Sequence, residues 1–496
     1  MTHTHDSHAH DSHTYSFGDS GHSGDFDTLD LTGNRYVDSL LWSGNRLDSN
    51  VITYSFVEDE SLDNDVEDVD TEDTDWSSFE REATLVALDT WSNVANISFV
   101  QENDDAADAN FGFFLVTNAD LGDGVLGRFG PPGEDNAGIG YFNIQGSGWG
   151  ELGLQQGGLG FVTLIHELGH GLGLAHPHDN GGESSFFPGV NSPDDLGRNG
   201  QNQGIYTTMS YNDGLVDDGN NRRGFGYQGT PTAFDIAAIQ YLYGANTSYN
   251  AGDDTYRLPT QNRPGTFYST LWDADGTDTI SARSSNSDTV INLKEAPLVG
   301  RNAGGFLSTV DGVYGGFTIA NGVTIENAIA GSGNDIVIGN QANNRLKGGG
   351  GQDTLNGNQG DDDLIGMAGR DVLNGGSGED RLVGGGTGDI LNGGRFDDKL
   401  YGNLGRDVLS GGAGNDEMWG GIGRDTFLLE KGNGVDMIQD FDLNKDLLGL
   451  TRGVRLGAIT VVQRDEGALI RQGGDRLATL IDVDASDITD NLFTRV

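Results

Sequence analysis

Three histidines and a glutamate lie within eleven residues of FVTLIHELGHGLGLAHPHD, positions 161–179. Residues four apart share a helix face, so His166 and His170 can point at one cation. Glu167 follows His166 and leans to the side of that face, where a water held by the cation would sit. Gly173 can take a positive φ and end the helix, letting the chain turn back and bring His176 to the same point. Three protein nitrogens with one open position is the pattern of a catalytic zinc site, since a structural site fills all four positions. Histidines buried for packing alone are the weaker reading, because the third histidine makes the pattern far more specific than a bare H-E-x-x-H. Gly169 and Gly171 lie inside this helix and each costs about 1 kcal/mol relative to Ala. A helix that keeps them needs close packing or metal support.

The elements that must position this stretch are legible around it. VITYSFV (51–57), NISFVQE (96–102), NFGFFLV (110–116) and AGIGYFNI (137–144) read as strands. Residues 76–95 carry Phe79, Ala83, Val86, Ala87 and Trp91 near helical spacing, with Ser77 or Ser78 as cap and Glu80 and Glu82 near the positive end. PTAFDIAAIQYLY (231–243) is a further helix, with Thr232 as cap and Gly244 behind it. This order makes an α+β or mixed-sheet domain. AGIGYFNI is expected to be the edge strand to which an extended substrate would add. After a Gly, Asn and Asp-rich loop, GIYTTMSYND carries Met209 and Tyr211 where a Met-turn would lie.

Acidic residues number 76 and basic residues 28, a formal net charge of −48. That balance repels nucleic acid and anionic membrane surfaces, so neither is expected as a partner. It favours cations. There is no cysteine, so disulfides and thiolate metal sites are excluded and any staple must be metal. No apolar run has the length of a membrane span. The start, MTHTHDSHAHDSHTYSFGDS, has neither a basic n-region nor an apolar h-region and is not a Sec-type signal. Six of the ten histidines lie between positions 3 and 22, and the other four are His166, His170, His176 and His178. Residues 1–30 are expected to form a flexible leader or pro-segment, with metal binding by the His-rich tract as another reading. The run EDESLDNDVEDVDTEDTD (58–75) is expected to be a solvated loop.

From 330 to 428 the chain repeats every nine residues. The sixth position is Asp335, Asn344, Asp353, Asp362, Asp371, Asp380, Asp389, Asp398, Asp407, Asp416 and Asp425, and the eighth is apolar throughout, from Val337 to Phe427. A flexible glycine-rich linker would not keep Asp and Leu in phase over this length. The nonapeptide G-G-x-G-x-D-x-U-x is a calcium-binding parallel β-helix repeat. Its glycines turn tightly, its Asp offers a hard oxygen ligand, and its apolar residue fills a thin core. All ten Asp residues are expected calcium ligands, and the unit GNQANNRLK, with Asn344, is expected to ligate poorly. Without calcium the stacked carboxylates repel, so this region should be disordered until metal arrives. DMIQDFDLNKDLLGL, AITVVQ, GALIRQ and LATLIDV then read as strands that cap the roll.

Together these residues resemble the serralysin family, RTX zinc metalloproteases of the metzincin clan. The likeness is carried by HELGHGLGLAH with Pro177 behind it, MSY at 209–211, FDIAAIQYLYGAN at 234–246, LWDADGTDTI at 271–280, the nonads, and DMIQDFD at 436–442. It implies an α+β metzincin catalytic domain (31–246) followed by an all-β calcium-binding parallel β-roll (247–496, with capping strands 429–496). It implies one catalytic Zn²⁺ on His166, His170 and His176, several structural Ca²⁺, Glu167 as general base, Met209 as the floor beneath the metal, and Tyr211 as a displaceable fourth ligand that stabilises the tetrahedral intermediate. The expected protein is a secreted, extracellular, monomeric zinc endopeptidase acting on proteins or peptides through a zinc-activated water. Export would use a type I secretion apparatus and an uncleaved C-terminal signal, although NLFTRV departs from the family's acidic residue and hydrophobic run. The long His-rich leader has no clear counterpart in the family. The rival from another class is a calcium-dependent structural or surface-binding RTX protein with an inactive protease domain. The intact HExxH, third histidine and Met-turn argue against it.

Overall fold

The computed structural model describes residues 26–57, 75–102, 109–179, 185–212, 224–432 and 434–496. The His-rich tract and nearly all of the acidic run lie outside these. Phe26–Thr28, at the end of the expected leader, pairs antiparallel with Asn45–Leu47.

The N-terminal half is built on five strands: β1 (Val51–Phe56), β2 (Ser98–Gln101), β3 (Phe111–Val116), β4 (Gly127–Phe129) and β5 (Ile139–Asn143). Their order is β2-β1-β3-β5-β4. All neighbours are parallel except β4, which runs antiparallel to β5. This corrects the expectation that AGIGYFNI forms the edge: β5 is interior, and β4 covers it. A three-residue strand between glycine-rich turns carries too short a pattern to read.

Helix α1 (Ser78–Val94) starts at a capping box. Ser77 N–H donates to Glu80 Oε2 at 2.9 Å, and Glu80 N–H donates back to Ser77 Oγ at 3.4 Å. Helix α2 (Leu159–Gly171) carries the HExxH stretch. It ends in a Schellman motif: Leu174 N–H reaches Gly169 O at 2.8 Å and Gly173 N–H reaches His170 O at 2.9 Å, with Gly173 at φ 103°. A Cβ on Gly173 would overlap the Asn45 carbonyl, so both the φ and the close approach demand glycine there. Trp91 of α1 is fully buried and its Nε1 donates to Ile165 O of α2 at 3.3 Å. Helix α3 (Ala233–Tyr243) completes this half. Its Tyr243 hydroxyl donates to Leu172 O at 3.0 Å, at the α2 terminus.

The C-terminal half is a roll of two sheets, of 12 and 10 strands, parallel through the nonads. Successive units alternate between the sheets, so each strand pairs with the one 18 residues away, as in Leu355 opposite Leu373. The eighth-position residues Val337 through Phe427 all point inward and are fully buried. Parallel stacking starts before the nonads, at Thr255–Arg257 and Thr279–Ser281, and the larger sheet ends in the antiparallel strands 459–464, 467–472 and 475–481. The roll and the N-terminal half share one continuous apolar core. Gln201 Nε2 also bridges them, donating to the carbonyls of Gly300, Arg301 and Ala303 at 3.0–3.1 Å. Among the described residues, no helix is long and apolar enough to cross a membrane.

Candidate functional site

The Nε2 atoms of His166, His170 and His176 lie 3.0 to 3.2 Å from one another. Each Nδ1 has an outward acceptor: Thr208 O at 2.8 Å for His166, Leu174 O at 2.8 Å for His170, and Asp179 Oδ2 at 2.7 Å for His176. That assigns the ring proton to Nδ1 in all three rings. Three lone pairs therefore face one point with no proton between them, an arrangement only a cation satisfies. Nitrogens about 2.0–2.1 Å from a tetrahedral zinc sit about 3.3 Å apart, close to the spacing found. Burial lowers the pKa of His166 and His170, which keeps both rings in the neutral, ligating form.

Glu167 is buried beside this point. A Cβ on Gly127 of β4 would lie 2.7 Å from Glu167 Cγ, so the edge strand approaches closely only because residue 127 has no side chain. Burial pushes the Glu167 carboxyl up to about 8, against the Arg128 charge and the Phe129 N–H, which lower it. Met209 is fully buried and packs against Gly169 of α2. The Tyr211 ring stacks on His166 with centroids 5.8 Å apart and lies 4.7 Å from His176. Burial, and then the charges of Glu167 and Asp179, raise the Tyr211 pKa and keep the phenol protonated.

The two helix glycines have a packing reason. A Cβ on Gly169 would lie 2.8 Å from Met209 Sδ, and one on Gly171 would lie 2.6 Å from the Phe129 ring of β4. The helix thus touches Met209 on one side and the edge strand on the other.

Three residues of the site were missed in the sequence. Asp179 accepts from His176, and its signal was its place three residues on. His178 stacks on His176 with centroids 4.9 Å apart and lies 4.7 Å from the Tyr211 ring. Asp235 is buried in the first turn of α3. It accepts from Thr232 N at 2.9 Å, Thr207 Oγ1 at 2.6 Å and Thr208 N at 2.7 Å. One carboxylate thus caps α3 and fixes the turn whose carbonyl orients His166. The pattern Thr232-x-x-Asp235 was the available signal.

In the roll, each repeat Asp uses one oxygen for structure. The N–H of Asp353 donates to Asp371 Oδ1 at 2.9 Å, and the pattern recurs every 18 residues. The other oxygen, Oδ2, is buried without a hydrogen-bond partner in Asp353, Asp362, Asp371, Asp380, Asp389, Asp398, Asp407, Asp416 and Asp425. A row of orphaned anionic oxygens is costly unless hard cations fill it. The first-position glycines leave the room, since a Cβ on Gly357 would overlap Asp362 Oδ2. Asp335 differs: its oxygens accept from Gly331 N at 2.9 Å and Thr289 N at 2.7 Å. Asn344 turns its Nδ2 toward Glu326 O and Asn340 Oδ1, both at 3.0 Å. Asp254, Asp273 and Asp278 also converge, their carboxylate oxygens within 4.8 Å of one another. In the sequence they read only as Gly/Asp turns.

Residues 48–189 match the Matrixin family, and residues 234–468 match the family described as Peptidase M10 serralysin C terminal. The chain is 35% identical over 280 residues to Serralysin of Photorhabdus laumondii, covering 54% of each chain. It is 34% identical over 296 residues to Serralysin of Proteus mirabilis, covering 55% of this chain and 56% of that one. It thus spans about half the length of the curated relatives it matches. A solved structure, the AlgE6R3 subunit from the Azotobacter vinelandii mannuronan C5-epimerase, matches 23% of this chain and 77% of that one, at 27% identity and a TM-score of 0.20. The Matrixin match spans all three histidines of the nitrogen cluster and the serralysin C-terminal match spans the nonads, so the two halves of the chain are similar to the two parts that serralysins carry.

Proposed function

We propose that this chain is a secreted, calcium-stabilised zinc endopeptidase that cleaves extracellular proteins or peptides. The observation that carries the reading is the convergence of three proton-free Nε2 atoms beside a buried glutamate, under an edge strand. His166, His170 and His176 would hold the zinc, which acidifies a water and polarises a carbonyl when bound. Glu167 would take the proton of the attacking water and return it to the leaving amine. The charge of a bound dication would pull its carboxyl down from the raised value into a working range. The Tyr211 phenol, kept protonated, would donate to the oxyanion of the tetrahedral intermediate. An extended substrate would pair with the free side of β4, whose Gly127 lets it run directly over Glu167. The orphaned Asp oxygens from Asp353 to Asp425 would bind Ca²⁺ and neutralise the roll.

Casein hydrolysis measured as isolated, after chelation, and after adding back Zn²⁺ and Ca²⁺ separately tests this. Loss on chelation and recovery only with both metals is the expected result. Activity that needs neither metal overturns the reading, and casein binding without hydrolysis favours the structural RTX alternative. Type I export and a monomeric state belong to the same proposal.

A further inference from the structure

Successive nonads enter opposite sheets, so their fifth positions line opposite edges of the roll. One edge carries Asn343, Asp361, Glu379, Asp397 and Asn415, and the other carries Asn334, Gln352, Arg370, Gly388, Arg406 and Arg424. The two edges therefore differ in charge. On the acidic edge the side chains brace the next rung: Asp361 Oδ1 accepts from Glu379 N–H at 2.9 Å and Asp397 Oδ1 from Asn415 N–H at 2.7 Å. On the basic edge the three arginines are exposed, and their side chains make no hydrogen bond or ion pair with another described residue. Arg370 does lie within Coulombic reach of Asp389.

Gly388 stands where the row would carry another side chain, between Arg370 and Arg406. The gap opens a cleft of roughly 780 Å³ whose lining includes the three arginines and Ile390, Val408 and Thr426. The last three are register partners on adjacent strands, Ile390 opposite Val408 and Val408 opposite Thr426. They form a narrow, largely apolar strip beside the cations. Rungs of a sheet repeat at about 4.8 Å, so Arg406 and Arg424 are one rung apart and Arg370 and Arg406 two.

We propose that this cleft binds a linear polyuronate, a polysaccharide with one carboxylate per sugar. Three observations select that chemistry. Exposed guanidinium groups without partners favour carboxylates, which they can bind in bidentate fashion. The strip at 390, 408 and 426 offers a surface for the C–H faces of sugar rings. The spacing also fits, because neighbouring residues of a 1,4-linked pyranose chain are turned over, so carboxylates on one face recur about every two rungs, the separation of Arg370 and Arg406. An extended acidic peptide shows side chains on one face only every ~6.6 Å and falls out of step with the row. The chain's net charge opposes any polyanion, but at physiological ionic strength the Debye length is about 8 Å. The arginines therefore dominate inside the cleft.

The test uses the full calcium-loaded chain and a fluorescent oligogalacturonate too short to gel with calcium. Unmodified protein should bind it, and a neutral oligoglucan should not bind. Arg370→Gln, Arg406→Gln and Arg424→Gln combined should weaken binding by at least about tenfold, the scale of losing several bidentate charged contacts. Caseinolysis and the calcium-loaded circular dichroism spectrum should not change in that variant. Lys399→Gln, which removes a cation of the larger sheet, should leave binding intact. Equal binding by the triple arginine variant would mean calcium bridging to acidic residues and overturns the proposal. So does an equal loss with Lys399→Gln, no binding by the unmodified protein, or tighter binding of poly-glutamate than of the oligouronate.

Discussion

Gly169 and Met209 sit so close that a Cβ on residue 169 would lie 2.8 Å from the Met209 sulfur and 3.2 Å from the Trp91 ring. Two effects compete in Gly169→Ala. Helix propensity favours Ala by about 1 kcal/mol, while overpacking a filled core costs roughly 1–3 kcal/mol. Met209 and Trp91 are both fully buried, so neither can yield cheaply and the clash wins. The variant should melt at a lower temperature and retain less zinc after dialysis. A raised melting temperature would show that the surroundings of Met209 are softer than this packing implies.

His176 and Asp179 form a carboxylate–histidine pair, at 2.7 Å. Such partners fix ring orientation and raise ligand basicity, and losing one typically costs about 10–100-fold in metal affinity. Asp179→Asn keeps the shape and removes the charge. Zinc affinity from chelator competition should fall on that scale while the fold is kept. An unchanged affinity would make Asp179 a bystander.

Glu167→Ala should retain zinc, because the three nitrogens and their outward acceptors remain. Proton transfer by a positioned side chain contributes about 10²–10⁴-fold, so casein turnover should fall by at least that much. Retained turnover at full zinc content sinks the assignment of the base.

The cation-free roll should respond to pH in the unusual direction. Burial first, and then neighbouring carboxylates, push Asp353, Asp362 and Asp389 up to about 7 and Asp398 up to about 8. Their unfolded value is near 3.9. The folded roll thus holds protons that the unfolded chain releases. This contribution to stability is fully present below about pH 4 and is lost as pH rises through the folded values of about 7 to 8. With chelator present, the folded fraction of the roll, read by circular dichroism, should fall from about pH 5 to about pH 8, across that window, leaving it disordered at neutral pH and above. Saturating calcium should abolish the fall by taking the place of the protons. A chelated roll that gains stability over the same range would contradict the buried, unpaired state of these oxygens.

The sequence by itself determined whatever is local or repeated. The spacing of His166, His170 and Gly173 follows from helix geometry. Ser77 and Glu80 lie within one turn of each other, and the nonads repeat often enough for Asp and Leu to stay in phase. Tertiary structure decided the contacts between segments far apart in the chain. It put β4 rather than β5 at the sheet edge, and it aimed Asp235 of α3 at Thr207 and Thr208. It also set Gly127 over Glu167 and Gly169 over Met209, and it gathered Asp254, Asp273 and Asp278. Register and burial between distant segments decide such contacts, and local propensity carries no record of them. The opposite charges of the two roll edges stand between these cases. The residues are visible in the repeat, but only the alternation of units between two sheets sorts Arg370, Arg406 and Arg424 to one side and Asp361, Glu379 and Asp397 to the other.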